Sequence, residues 1–237
     1  MKILALDTAT EVCSAALLLD GQLVGREREL GRGHAEYILP MIDELLKEAA
    51  LSLSRLDAIA FGRGPGGFTG VRLAASVTQG LSFGSGLPVV PVSDLRAVAQ
   101  RILDLEPTAS RVLVCNDARM NEVYWGCFDR DAGGLARHYG EEGVAKPAAV
   151  ALPPAWTAPP GGPDAPVSGG AGFAAYPELR NRFEARVAAF HDRLLPRAHE
   201  IARLAAPEVR AGRAVGPEGA IPVYLRDDVV QPKPSLT

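Results

Sequence analysis

One passage occurs twice in this chain, and this repeat constrains the fold more than any other feature. An apolar run ending in Asp, a polar turn, Glu-Val and a second apolar run fill residues 2–17 and again 111–128. Each copy predicts a strand–turn–strand hairpin, and a long repeat is informative about the whole architecture. The chain is therefore predicted to form two lobes on one plan, with the turns at Asp7 and Asp117 facing a common cleft.

The first half predicts an α/β lobe. Apolar runs, a turn at Asp20-Gly21 and helical stripes give the order strand, strand, strand, helix, strand, helix, strand, helix. We expect Thr69 to be the N-cap of the second helix and Ser93 to open the third. The predicted strands are 2–7, 12–19, 22–30, 57–61 and 88–92, and the first two helices are 34–50 and 69–85.

The second half repeats the plan from residue 111 and then loses regularity. Residues 143–172 are rich in Pro and Gly, which favours a surface loop with short strands. Helical patterns return at 172–183, 187–195 and 198–212, and the tail 221–234 is predicted to be extended. We therefore expect a first lobe at 1–108 and a smaller second lobe at 109–237.

Composition narrows the class of protein. The chain has 25 basic and 28 acidic residues, so no overall positive field attracts nucleic acid. Three cysteines without CxxC spacing indicate reduced thiols in a cytoplasmic protein. A predicted strand at Lys2 leaves no room for a signal peptide, and no apolar stretch reaches membrane-spanning length, so no membrane contact is expected.

Two loops are candidates for a phosphate site. In a phosphotransferase, the turn at Asp7, Thr8 and Thr10 would offer hydrogen bonds to phosphate, and the Asp would hold hydrated magnesium. A capped hairpin explains the same turn. The glycine-rich loop 62–70 could cradle an anion or simply let the next helix pack closely on the sheet. Gly169 and Gly170 lie where a second lobe would hold adenosine, although an ordinary turn also explains them.

Two helical stripes are candidates for a docking surface. Small residues recur along the second helix and permit close approach of another backbone. The same stripes are equally well explained as core packing, and both interpretations stay open here. The candidate docking residues are Ile38, Ile42, Leu45, Gly70, Leu73, Ala74, Val77 and Leu81.

Several catalytic arrangements are missing from the sequence. None of the four histidines (His34, His138, His191 and His199) forms an HxxxH pair, so we expect no metal site from helix-borne histidines. No GxSxG or Cys–His pattern provides a nucleophile. These patterns indicate neither a metallopeptidase nor a hydrolase with a nucleophilic side chain.

Taken together, the motifs resemble a known family. The chain is similar to the TsaB (YeaZ) family, which belongs to the two-lobe actin-like ATPase fold together with sugar kinases, Hsp70 and actin. The resemblance spans nearly the whole chain, and its glycine-rich loop and Asp-Ala-Arg passage are specific in combination. The matching stretches are 3–8, 34–36 with 39–40, 64–72, 117–119 with 122–124, and 222–226.

The resemblance implies a non-catalytic scaffold in tRNA modification. Such proteins help to install threonylcarbamoyl on the adenosine next to the anticodon of tRNAs that read ANN codons. They pair with TsaD, which carries the metal and transfers the group, or with themselves as a homodimer, and the ATPase TsaE binds the complex. Contact with tRNA is then indirect, through the complex. The resemblance places the pairing surface on helices 34–50 and 69–85.

No cofactor is expected, although weak ATP or ADP binding at the cleft or the partner surface stays open. The residues that would remain from a nucleotide site are Asp7, Thr8, Thr10, Asp117, Arg119, Gly169 and Gly170. Two other functions stay open. One is an ATP-dependent small-molecule kinase of the actin-like superfamily, and the other, with less support, is a peptidase.

Overall fold

We describe a computed structural model of the chain, covering residues 1–156 and 164–226. Its elements follow the predicted order through the first half. They are β1 (Lys2–Asp7), β2 (Val12–Leu19), β3 (Gln22–Glu29), α1 (His34–Glu48), β4 (Ala58–Gly62), α2 (Phe68–Ser85), β5 (Val89–Val92), α3 (Asp94–Leu105), β6 (Arg111–Asp117), β7 (Val123–Arg130), β8 (Ala136–His138), β9 (Gly143–Ala145), β10 (Val167–Gly169), α4 (Gly172–Ala175), α5 (Pro177–Phe183), β11 (Phe190–His191) and α6 (Ala198–Arg210).

The first lobe is a five-stranded sheet with the order β3-β2-β1-β4-β5. β1 pairs antiparallel with β2 and parallel with β4, which makes β1 the central strand. Alternate β1 residues point to opposite faces, as the period of a strand requires. Leu4 and Leu6 pack beneath α1 and α2, whereas Ile3 and Ala5 pack against α6.

The second lobe is a six-stranded sheet with the order β11-β10-β6-β7-β8, and β9 also pairs with β7. β6 and β7 form the antiparallel hairpin that the repeat predicts. The second sheet is reduced in strand length rather than in strand number, because β8 to β11 have only two or three residues each. Its two faces are covered by α3 on one side and by α4 and α5 on the other.

The two lobes exchange helices. α3 belongs to the first half of the chain, but its Leu95, Val98 and Ile102 pack on the second sheet. α6 belongs to the second half, but its Ile201 and Leu204 pack on the first sheet. The predicted boundary near residue 108 therefore divides the chain between the two sheets. It does not divide the two hydrophobic cores, because each core includes a helix from the other half of the chain.

Two local predictions, a hairpin turn and a helix cap, are confirmed. Asp20 and Gly21 form the turn between β2 and β3, both with positive φ. Ser93 is the N-cap of α3, where its hydroxyl accepts a hydrogen bond from the Arg96 amide. Along residues 1–156 and 164–226, no helix is both long and apolar enough to cross a membrane.

Other local predictions are wrong. α2 begins at Phe68 after Gly67, with no side-chain cap, so Thr69 lies inside the helix. The predicted helix at 187–195 is instead a turn and the short strand β11, which pairs with β10. The Pro- and Gly-rich stretch does contain the predicted short strands, β9 and β10, but β10 lies inside the sheet between β6 and β11 rather than at the surface. Of the predicted extended tail, 221–226 has no regular secondary structure, and the remainder lies outside the described residues.

Candidate functional site: the cleft between the lobes

The two Asp-bearing turns face one cleft of about 750 Å³. The turn after β1, the glycine-rich loop and the turn after β6 line it, and the C-terminal segment 223–226 forms a further wall. Six of the predicted site residues line this cleft together with others: Thr8, Thr10, Gly70, Leu73, Asp117 and Arg119. The repeat therefore locates the cleft correctly, and the remaining question is what its side chains can do.

Asp7 is fully buried and lies behind the cleft wall rather than on it. Its Oδ1 accepts a hydrogen bond of 3.0 Å from the Ala9 amide, so the carboxyl shapes its own turn. Burial raises the pKa of Asp7 to about 7, and hydrogen bonds from Ala9, Asp94 and Thr8 offset this only in part. A carboxyl that is partly protonated at neutral pH and closed off from solvent is a poor holder of magnesium.

Asp94 is the partner that sequence reasoning missed. This residue at the start of α3 is fully buried, and its carboxyl accepts a hydrogen bond from the Gly64 amide. It faces Asp7 across Gly62, where an added Cβ would lie 2.3 Å from Asp94 Oδ1 and 2.4 Å from Asp7 Oδ1. Burial, and then the charge of Asp7, hold the pKa of Asp94 well above its usual range. In the sequence, Asp94 marks only the start of a helix. Its pairing with Asp7 depends on contacts between residues that are far apart along the chain.

The glycine-rich loop packs tightly against the first turn. The Thr8 hydroxyl donates a 2.7 Å hydrogen bond to the Gly70 carbonyl, and the Gly67 amide donates one of the same length to Ala9. A Cβ at Gly70 would lie 2.0 Å from the Thr8 carbonyl oxygen, and one at Gly66 would lie 2.5 Å from that of Ala9. These contacts favour the packing explanation of the loop over an anion cradle.

The carboxylate of Asp117 already has hydrogen-bond partners within its own lobe. Its carboxylate accepts hydrogen bonds from the Arg119 amide at 2.8 Å, the Arg119 guanidinium at 2.9 Å and the Tyr176 hydroxyl at 2.8 Å. Burial and then this hydrogen bond raise the pKa of Tyr176 to about 12. Arg119 also contacts Glu11 at 3.1 Å across the cleft, so it links the two turns.

The turn after Asp117 has an unusual backbone. Arg119, Met120 and Asn121 have φ values of 60°, 55° and 58°, three consecutive left-handed residues without glycine. Such a run is costly for L-residues and persists only where surrounding contacts hold it. The sequence gives no sign of it, because none of the three residues is a glycine.

Asn116 and the two glycines of the predicted adenosine loop form a closed cluster. Asn116 is 5% exposed and lines the cleft, and neither of its amide atoms has a hydrogen-bond partner. Gly170 packs against it, since a Cβ there would lie 2.5 Å from Asn116 Oδ1. Gly169 packs against Ile102 and His191. Both glycines are buried and do not line the cleft, which corrects the expectation that they would approach adenosine.

The donor set therefore does not fit a magnesium nucleotide. One Asp is buried in a carboxyl pair, and the other is already bound by Arg119 and Tyr176. In the part of the chain that the structure describes, no three His, Cys, Asp or Glu side chains are grouped so as to hold a metal ion.

The predicted docking residues separate into two groups. Ile38, Ile42, Leu45 and Ala74 are at most 3% exposed and belong to the core of the first lobe, which corrects their placement on a surface. Core packing is the explanation of those stripes. Leu73, Val77 and Leu81 are half-buried on one side of α2, and Gly70 is held against Thr8.

Part of the exposed surface of α1 and α2 is apolar or small, although α1 also exposes the charged residues Asp43, Glu44, Lys47 and Glu48. Leu39 is 49% and Phe83 is 84% exposed, and an added Cβ at Gly80 or Gly84 would meet nothing within 4 Å. We call this surface the α1–α2 face. It consists of Leu39, Leu73, Val77, Gly80, Leu81, Phe83 and Gly84.

Two related sheets on either side of a cleft, each contributing an Asp-bearing hairpin turn, define a two-lobe protein of the actin-like class. A family model described as TsaD, tRNA N6-adenosine threonylcarbamoyltransferase, matches residues 28–228. The chain is also 39% identical over 238 residues to an Escherichia coli K12 protein named tRNA threonylcarbamoyladenosine biosynthesis protein TsaB, with 98% of each sequence covered. The chain therefore belongs to the TsaB family.

Other relatives agree. A Haemophilus influenzae protein of the same name is 50% identical over 131 residues, which is 55% of each chain. Two solved structures from Pseudomonas aeruginosa have the same fold. One, titled an uncharacterized protein with similarity to peptidase YEAZ, has a TM-score of 0.86 at 44% identity and covers 95% of this chain and 99% of its own. The other, titled YeaZ, has a TM-score of 0.82 at 42% identity and covers 94% and 99%.

Proposed function

We propose that the chain acts in tRNA threonylcarbamoyladenosine biosynthesis as a non-catalytic subunit that pairs with a TsaD-type transferase. The pathway follows from membership of the TsaB family, whose Escherichia coli relative matches over almost the full length. The finer statement, a subunit without chemistry of its own, is supported by the cleft.

The observation that carries the non-catalytic proposal is the state of the two aspartates. Phosphoryl transfer in an actin-like cleft needs carboxylates free to hold magnesium and orient a nucleophile. Here Asp7 shares a buried pair with Asp94, and Asp117 is neutralised by Arg119. The geometry therefore disfavours the small-molecule kinase. The described residues also offer no triad of metal-ligating side chains, so the peptidase named in one neighbour's title gains no support from this chain.

The α1–α2 face is the surface that we propose for pairing. Isolated apolar residues are normal on a protein surface, but here Phe83 and Leu39 accompany half-buried Leu73, Val77 and Leu81. Gly80 and Gly84 leave open space on α2 that another helix could enter closely. The partner would be the TsaD-type paralogue or, in its absence, a second copy of this chain.

Nucleotide, TsaE and tRNA have smaller roles in the proposed function than the paralogue has. Because Asp7 is buried and Asp117 is bound by Arg119 and Tyr176, we expect ATP or ADP to bind weakly, at the cleft or at the partner surface. TsaE would join only the assembled complex, and tRNA would be contacted indirectly, in the cytoplasm.

A reconstitution measures the proposed role directly. Threonylcarbamoyl-modified tRNA is quantified in reactions containing the TsaD-type paralogue, TsaE and threonylcarbamoyl-adenylate, with and without this chain. We expect modification only when this chain and the paralogue are both present, and no ATP turnover by this chain alone. The same yield from Asp7→Asn as from wild type is expected if the chain folds equally well. Modification by this chain without the paralogue would overturn the proposal.

A further inference from the structure

The C-terminal segment Ile221–Arg226 runs along the cleft and contacts both lobes. Just before it, Ala220 is buried in the core of the first lobe, and its carbonyl accepts a 3.0 Å hydrogen bond from Gln79. The segment leaves this anchor without regular secondary structure, and residues 223–226 line the cleft. It therefore starts from a fixed point on one lobe.

The middle of the segment is fastened to the first lobe. The Val223 amide donates a 2.7 Å hydrogen bond to the Arg63 carbonyl, and the Val223 carbonyl oxygen would lie 2.8 Å from a Cβ at Gly64. Arg72 donates a 2.8 Å hydrogen bond to the Tyr224 hydroxyl. The guanidinium of Arg72 also lies 3.5 Å from the ring centroid of Phe68, which itself packs beside Tyr224.

The end of the segment is fastened to the second lobe. Arg226 forms an ion pair with Glu122 and donates a 3.2 Å hydrogen bond to the Ala118 carbonyl. It also contacts the Met120 sulfur at 3.3 Å. All three groups belong to the left-handed turn after Asp117, and the Arg226 side chain is only 17% exposed. The Arg226 side chain is therefore largely buried against the turn 118–122, whose left-handed backbone needs stabilising contacts from other parts of the chain.

We propose that Ile221–Arg226 is a strap that fixes the two lobes in one closed arrangement and sets the width of the cleft. Its fixed end is Ala220 in the first lobe, and its release point is the contact of Arg226 with the turn 118–122. Release of Arg226 frees the left-handed turn to relax and lets the cleft widen, while the exchanged helices α3 and α6 keep the lobes joined.

The test compares Arg226→Ala with Arg213→Ala in the full chain. Arg213 is a matched control, because its ion pair with Glu208 lies at the end of α6 and does not join the lobes. Amide hydrogen exchange reports on the turn, where the Ala118 and Glu122 amides are hydrogen-bonded internally. We expect about tenfold faster exchange or more in the turn for Arg226→Ala, with β1 and β6 unchanged, and no change for Arg213→Ala.

A distance measurement reports on the lobes themselves. Spin labels at Ser54→Cys and Glu178→Cys lie on exposed positions of opposite lobes, and the native Cys13, Cys115 and Cys127 are all buried. The parent should give one narrow distance distribution, and Arg226→Ala should broaden it toward longer distances. An unchanged distribution together with unchanged exchange in the turn would overturn the strap.

A charge swap separates the strap from a general loss of stability. Arg226→Glu should release the turn, and the double variant with Glu122→Arg should restore a large part of its protection by re-forming the ion pair in reverse. If the turn stays unprotected in the double variant while β1 and β6 remain protected, the pair does not hold the strap and the proposal fails.

Discussion

At the scale of single residues, the buried carboxyls of Asp7 and Asp94 have the clearest consequence in solution. An unfolded Asp titrates near pH 4, whereas burial raises the pKa of folded Asp7 to about 7. Between these values the folded state binds more protons than the unfolded state, so stability falls as pH rises. Asp7 should therefore weaken the fold progressively from about pH 4 to about pH 7. Asp94, whose pKa is also raised by burial and by the charge of Asp7, adds to this loss of stability as pH rises.

The variant Asp94→Asn should reduce this pH dependence. An amide at position 94 removes the second charge and can donate a hydrogen bond to Asp7, and its oxygen can still accept from the Gly64 amide. We expect the loss of unfolding free energy between pH 5 and pH 8 to shrink by about 1–3 kcal/mol, measured by urea titration.

The control for that experiment is Asp104→Asn on the same helix. Asp104 pairs with Arg203 near the surface, so its removal should change stability by less than about 1 kcal/mol at either pH. An Asp94→Asn curve parallel to that of the wild type would show that Asp94 does not contribute to the pH dependence of stability.

At the scale of elements, α2 shows how one helix uses glycine in opposite ways. Gly70 lies against the Thr8 backbone, whereas Gly80 faces open space. Gly70→Ala should cost about 1–3 kcal/mol, because backbone must move to admit the methyl group. Gly80→Ala should instead stabilise the chain by about 0.5–1 kcal/mol, since alanine is the better helix former. Thermal unfolding measures whether stability falls for Gly70→Ala and rises for Gly80→Ala. Equal effects of the two substitutions would contradict the close packing of Gly70 against the turn at Thr8.

The elements also show what could be predicted from the sequence. The hairpins at 2–19 and 111–130 and the helices α1 and α3 follow from local patterns, namely period, turn residues and a Ser cap. The helix predicted at 187–195 does not form. Its short apolar run instead contains the strand β11, which is stabilised by pairing with β10.

The site was less predictable because its decisive contacts join distant segments. The position of Leu45 on an apolar stripe is the same whether it faces the core or a partner, and only the packed sheet shows that it is core. Asp94 is 87 positions beyond Asp7 and meets it only because the start of α3 is held at the end of β4, where the Gly64 amide donates to the Asp94 carboxyl. The left-handed backbone at Arg119–Asn121 contains no glycine that would indicate it, and only the folded chain shows the hydrogen bond from the Ala118 amide to the Glu122 carbonyl that closes this turn.

At the scale of the whole molecule, the helix exchange ties the two lobes together. α3 covers the second sheet and α6 the first, so neither lobe has a complete core without the other half of the chain. This leaves most of the α1–α2 face outside the contact between the lobes, although its Leu73 also lines the cleft. The molecule is thus suited to present one face to a partner while the polar side chains around its cleft stay bonded to one another.

The variant Gly84→Arg tests that face without disturbing the core. Gly84 has open space around it near the end of α2, and arginine favours a helix over glycine, so the fold should be kept. Ala185→Arg adds the same side chain on an exposed position of the second lobe and is the matched control. Circular dichroism establishes that both variants are folded before pairing is compared.

Pairing is measured most directly by light scattering coupled to size-exclusion chromatography, on this chain mixed with the TsaD-type paralogue of the same organism. We expect a stable mixed complex for the wild type and for Ala185→Arg, and its loss for the folded Gly84→Arg variant. A complex that survives Gly84→Arg would remove the α1–α2 face from the interface. No complex with the wild-type chain at micromolar concentration, with or without ATP, would contradict the scaffold role itself.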